Sequence, residues 1–95
     1  MAETFTRWDA SAYLQSKEDL RLYLEACADE DPGDGSLIRA ALNDIARAQN
    51  MSQLAREIGM TREGLYKALS EHGNPSFATV MRIARALGMQ LRFGV

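Results

Sequence analysis

Apolar residues recur along most of this chain at the three- and four-residue spacing of a buried helix face, and small or polar punctuation divides the recurrence into short segments. Ser16 and Asp19 have the spacing of a capping box, and Leu20, Tyr23, Leu24 and Cys27 follow at helical intervals, which predicts a helix over 17–29. A shorter helical turn is expected ahead of it from Asp9 to Leu14, anchored by Trp8 and Tyr13. The run DEDPGDG at 29–35 then stops the chain, since Pro32 and two glycines are costly inside a helix. Beyond it, Ser36 or Asp34 is expected to cap a helix with Ile38, Leu42 and Ile45 on one face, ending at Asn50, which tolerates left-handed backbone.

Three further starts follow. Ser52 is expected to cap a short helix through Leu54, Ala55 and Ile58, closed by Gly59. Thr61 caps the next, with Leu65, Ala68 and Leu69 inward and an end near His72 and Gly73, where His72 is placed to cap carbonyls. Ser76 opens the last, which carries Phe77, Val80, Ala84 and Leu87 on one face until Gly88. MQLRFGV alternates at Met89, Leu91 and Phe93, the period of a short strand. The fold class is therefore all-α with a short C-terminal strand, divided at the DEDPGDG run into an N-terminal helical extension (1–35) and a core (36–95).

Within that core, Leu54, Ala55, Ile58, Gly59, Met60 and Leu65 stand where a helix-turn-helix needs apolar, small, apolar, turn-forming, apolar and apolar residues. A larger side chain at Ala55 would push the two helices apart. Packing uses those positions, so the second helix turns Thr61, Arg62, Glu63, Tyr66, Lys67 and Ser70 outward, with Ser52 and Gln53 on the first. These are hydrogen-bonding types suited to a major groove. Arg62 is the candidate for a bidentate guanine contact, and Glu63 is suited to accept from a cytosine amino group. Lys67 and Tyr66 can reach a base edge or a phosphate, while the hydroxyls of Thr61 and Ser70 suit phosphates that fix register. The competing account is a plain solvated face, on which Glu63 and Lys67 form an i, i+4 pair. Gly64, costly inside a helix, is explained equally by close approach to DNA and by tight packing.

Charge changes this picture more than composition does. The chain of 95 residues has net charge −2, an odd balance for a DNA-binding protein. Residues 1–35 hold three basic against nine acidic side chains, however, and residues 36–95 hold eight against four. An acidic front thus masks a basic body, and the two signs suit two kinds of partner. No apolar run is long enough for a membrane span and the N-terminus lacks a signal-peptide pattern, so a cytoplasmic location is expected. One cysteine, Cys27, and one histidine exclude an internal disulfide and a four-ligand zinc site, and no glycine-rich phosphate loop or nucleophile constellation points to an enzyme. No metal or cofactor is expected.

Residues 36–88 resemble the Xre/Cro-type (lambda-repressor-like) DNA-binding domain, a five-helix fold. More narrowly, ALNDIARAQNMSQLAREIGMTREGLYKALSEHGNPSFATVMRIARALGMQL, with D-x-x-x-YL from Asp9 to Leu14 and the EDPGDG loop, resembles the HigA-like addiction module antidote proteins. Asn50 stands where other members usually have glycine, and both suit the same backbone. The resemblance implies a bacterial type II antitoxin that binds a small RelE/ParE-like (HigB-like) toxin and represses its own operon as a homodimer on operator DNA. On that basis the acidic segment, with Glu25, Asp29 and Glu30 and the anchors Trp8 and Tyr13, is the candidate toxin surface; simple packing of this segment on the core is the other account. Met89, Leu91 and Phe93 are the candidate dimer residues, pairing across a twofold axis or adding to a sheet of the toxin. A repressor without a toxin partner, and a module that binds only protein, are the alternative functions.

Overall fold

The computed structural model describes residues 14–92, so the expected turn from Asp9 to Leu14, apart from Leu14 itself, its anchors Trp8 and Tyr13, and Phe93 lie outside the described residues. Five helices follow one another: α1 (Lys17–Glu30), α2 (Ser36–Gln49), α3 (Met51–Glu57), α4 (Arg62–Leu69) and α5 (Phe77–Ala86). The segment 36–88 supplies four of them, and α1, from the N-terminal segment, is the fifth. The capping box at Ser16 and Asp19 forms as its spacing predicts, with both reciprocal hydrogen bonds made.

Helix α2 is the centre of the molecule, touching α1, α3 and α4, while α5 lies against α3. One side of α2 gives Ala41 and Ile45 to a cluster with Leu14, Leu20 and Tyr23, against which Cys27, Leu87 and Met89 also pack. Its other side gives Leu42 and Ala46 to a larger cluster of Met51, Leu54, Ala55, Ile58, Leu65, Leu69 and Ile83. Tyr23 donates its hydroxyl hydrogen to the buried carboxylate of Asp44, which fastens α1 to α2 through a polar contact inside the apolar seam.

Several local expectations are corrected. Neither Ser36 nor Asp34 is the N-cap of α2; that position is Gly35, with φ 80° and no side chain to offer. Asp31 does the work from further back. Its Oδ2 accepts from Gly33 N and Gly35 N at 2.8 and 2.9 Å, and its Oδ1 from Leu37 N and Ile38 N at 2.8 and 3.3 Å. Helix α3 is capped by Asn50, whose Oδ1 accepts from Gln53 N, and not by Ser52, which sits inside the helix. With φ 110°, Asn50 both ends α2 and starts α3.

The last helix departs from expectation at its start. Phe77 is 68% exposed, and the inward residue of α5 is Ile83, flanked by the half-buried Val80 and Leu87. At 3.6 residues per turn, Phe77 and Ile83 point about 120° apart, so one helix cannot bury both against the same neighbour. The C-terminal strand is also not seen among the described residues, of which 89–92 have no regular structure. Its alternation has no partner strand among the described residues, and Met89 is instead drawn onto the α1–α2 cluster.

The Asp31 carboxylate yields a pH signature. Burial pushes its pKa up, but the four backbone N–H groups outweigh burial and hold the carboxyl below its usual range. Its contribution to folding is therefore complete above the ordinary aspartate value of about 3.9 and is lost as pH falls through the lower folded value. Asp31→Asn, which offers one acceptor oxygen in place of two, should lower the urea midpoint at pH 7 and make the mutant less acid-sensitive than wild type below pH 4. Parallel urea titrations at pH 7 and pH 3 check both effects.

Candidate nucleic-acid interface

Helices α3 and α4 are joined by a turn of Ile58, Gly59 and Met60. Gly59 takes φ 78°, which a side chain would disfavour, and Met60 N reaches back to Ala55 O at 2.8 Å. Ala55 is 1% exposed between the two helices, and Met60 closes their cluster from the side. Thr61 caps α4 as predicted, its Oγ1 accepting from Gly64 N at 2.9 Å. That cap explains Gly64 within the protein itself: a Cβ there would stand 2.9 Å from Thr61 Oγ1.

The other end of α4 lies earlier than the sequence suggests, at Leu69. Arg39 of α2 donates from one guanidinium nitrogen to Leu69 O at 3.0 Å and Ser70 O at 2.7 Å, placing a positive charge at the negative end of the helix. His72, exposed in the next turn, does not supply the cap. Gly73 folds back so closely that a Cβ would collide with the carbonyl oxygens of Lys67 and Ala68. Leu65 and Leu69 are fully buried, so α4 is held at both ends and along its inner face.

Seven of the eight expected DNA-facing residues, Ser52, Gln53, Thr61, Arg62, Glu63, Tyr66 and Lys67, are exposed, and Ser70 is half-buried. Tyr66 is 53% exposed, a large aromatic left outside the core. Some of these groups already have internal duties. Gln53 Nε2 donates to Glu57 at 3.4 Å, and Ser70 spends its hydroxyl hydrogen on Lys67 O at 2.8 Å, which leaves that hydroxyl only lone pairs to offer. Thr61 uses an acceptor lone pair for its cap and keeps its hydrogen. Glu63 and Lys67 form no ion pair with each other or with any described residue.

Ser52, Arg62 and Tyr66 come together around one polar concavity of about 410 Å³, with Arg47, Asn50 and Met51 completing its wall. Arg47 and Asn50 were not among the expected DNA-facing residues. Arg47 belongs to α2, outside the two helices whose spacing defined the outward face, and only the packing of α2 beside α4 brings it there. On the opposite charge face, Glu25, Asp29 and Glu30 are exposed along α1; Arg21 pairs with Glu18 at 2.6 Å and with Glu25 at 2.8 Å, a solvated pairing that contributes little to stability. Of the candidate dimer residues, Leu91 is exposed and Met89 is half-buried.

The model of the family described as "probable addiction module antidote protein" matches residues 4–95. An uncharacterised protein of Haemophilus influenzae is 51% identical over 92 residues, which cover 97% of this chain and 93% of the relative. No solved structure matches.

Removing the Arg39 clamp should loosen α4. Arg39→Met keeps the stem's bulk but leaves the last carbonyls of the helix without their charged donor, and should cost about 2 kcal/mol. Urea unfolding gives the stability change, and hydrogen exchange should rise at the amides of α4 before those of α1.

Proposed function

This chain belongs to the family of probable addiction module antidote proteins, and on that premise we propose that it is the antitoxin of a type II pair. It acts by binding, not by catalysis, in the cytoplasm. The family membership carries the antitoxin role. The finer reading is of the HigA-like kind: residues 1–35 cover a small RelE/ParE-like (HigB-like) toxin, and residues 36–95 hold an Xre/Cro-type helix-turn-helix that represses the protein's own operon.

Support for the toxin surface is electrostatic. The exposed face of α1 carries Glu25, Asp29 and Glu30, and Leu22 stands 50% exposed beside them, an apolar anchor within an acidic field. A basic RNA-cleaving toxin is complementary to that combination, with charge steering the encounter and the leucine available for desolvated contact. Support for DNA binding is the α3–turn–α4 arrangement: a short helix clamped at both ends, whose exposed side chains Glu63 and Lys67 are free of internal partners and are of types suited to a major groove. One such module makes few base contacts. A homodimer presenting two copies about 34 Å apart to a pseudo-palindrome supplies the rest, with exposed Leu91 as a candidate contact.

Co-expression with the protein encoded beside it, followed by gel shift on the upstream promoter, tests the reading as a whole. Co-purification with promoter binding is the expected result; promoter binding without a protein partner leaves a plain repressor, and the absence of both overturns the proposal. The surface is tested separately by replacing Glu25, Asp29 and Glu30 with lysine. All three are exposed, so the melting temperature should hold while toxin association slows by roughly tenfold or more at low salt. An unchanged association rate in stopped-flow mixing removes α1 from the toxin interface.

A further inference from the structure

We infer that the concavity between the end of α2 and the start of α4 is a subsite for one phosphodiester of the DNA backbone, held by Arg47 and Arg62 together. This rests on the DNA-binding reading above, and it gives Arg62 a different role from the guanine contact its position in the sequence suggests.

The lining chemistry selects the ligand. Two arginines line one concavity, no Asp or Glu lines it, and neither arginine forms an ion pair with any described residue. Like charges brought together without a counter-charge repel, and an anion between them turns that repulsion into a bidentate attraction. The remaining polar groups agree. Ser52 and Tyr66 bring hydroxyl hydrogens; Asn50 has committed its Oδ1 to Gln53 N at 3.1 Å, which leaves its amide N–H groups. Each polar side chain of the wall therefore has a donor to give. Guanine also presents two acceptors in the major groove, but the base pair around it adds the cytosine amino donor, whereas a backbone phosphate offers acceptors alone to every donor of the wall.

Helix geometry separates the two jobs. Arg62 and Tyr66 are four residues apart and form one row on α4; Glu63 and Lys67 form the next row, rotated by about 100°. The first row shares its concavity with the end of α2, and the second lies outside it. The Arg62 row thus grips the backbone and sets register, leaving the Glu63 row for the bases. Arg47 is the contact that no helix-turn-helix spacing points to, because it reaches the site from α2.

Fluorescence anisotropy with the full-length protein, its promoter duplex and a scrambled duplex of equal length tests this. R47Q should weaken both duplexes by the same factor and reduce the slope of log K against log salt by about 1, while R47K keeps the slope. R62Q should behave like R47Q and leave the base-pair preference profile of the operator unchanged. Circular dichroism confirms that each variant is folded. An unchanged salt slope in R47Q, or a preference relaxed at one base pair in R62Q, overturns the subsite while wild-type promoter binding leaves the functional reading intact. Failure of the wild type to bind any duplex overturns both. Inorganic phosphate titrated into the free protein should saturate the arginine side-chain resonances only weakly; tight binding of phosphate alone would mark a free-anion site and also overturn the proposal.

Discussion

Everything in this fold depends on one helix being buried on two sides. Helix α2 has Ala40, Ala41, Leu42, Ile45 and Ala46 all nearly or fully excluded from solvent; Ala41 and Ile45 join one cluster, Leu42 and Ala46 the other, and the two clusters share no buried residue. Three of the five are alanine, so neighbouring helices approach α2 closely from both directions. The apolar contact that attaches α1 and the contact that supports α3, α4 and α5 are thus carried by the same fourteen-residue element. Asp44 adds a directional component on the α1 side: with its carboxylate buried, it needs a hydrogen-bonding partner, and Tyr23 supplies one.

The same helix also fixes the candidate reading element. Arg39, Asn43 and Arg47 recur every four residues along α2. Arg39 ends on the last carbonyls of α4, and Arg47 shares a concavity with Arg62 at its start, so the two helices run side by side in opposite directions. Asn43 lies between them, and its Oδ1 is buried without a hydrogen-bond partner among the described residues. An orphaned acceptor is what a polar row costs when pressed against a helix that buries Leu65 and Leu69. A short α4, too brief to be stable alone, gains a defined direction from these contacts at its ends.

Much of the architecture was legible because its causes are local. Ser16 with Asp19, Thr61 and Ser76 cap the helices they precede, and Gly59 and Gly88 take the left-handed conformation that ends the helices before them. What the sequence did not reveal is non-local. Asp31 acts on α2 from beyond Pro32 and Gly33, through a loop whose shape no dipeptide rule gives. The end of α4 is set by Arg39, thirty residues earlier, and by Gly73 folding back. Alternation at Met89 and Leu91 has the period of a strand, but period alone supplies no partner, and Met89 found an apolar cluster instead. The outward face of α4 was readable from its packing positions, whereas Arg47 was not, since its place in the site depends on tertiary packing.

The charge division follows from the same geometry. An acidic α1 docked on a basic body would ordinarily neutralise it, yet the described ion pairs of α1 are internal, joining Arg21 to Glu18 and Glu25. No acid of α1 reaches Arg39, Arg47, Arg62 or Lys67: Arg39 is turned to backbone carbonyls, and the other three pair with no described carboxylate. The α1–α2 seam is mainly apolar, and its carboxylates accept from a tyrosine hydroxyl at Asp44 and from backbone N–H groups at Asp31, so it attaches the segment without pairing an acid of α1 with a basic side chain of the body. Two fields of opposite sign thereby survive on one small molecule. Separate acidic and basic surfaces are the physical condition for engaging a basic protein and a nucleic acid without either competing for the other's contacts.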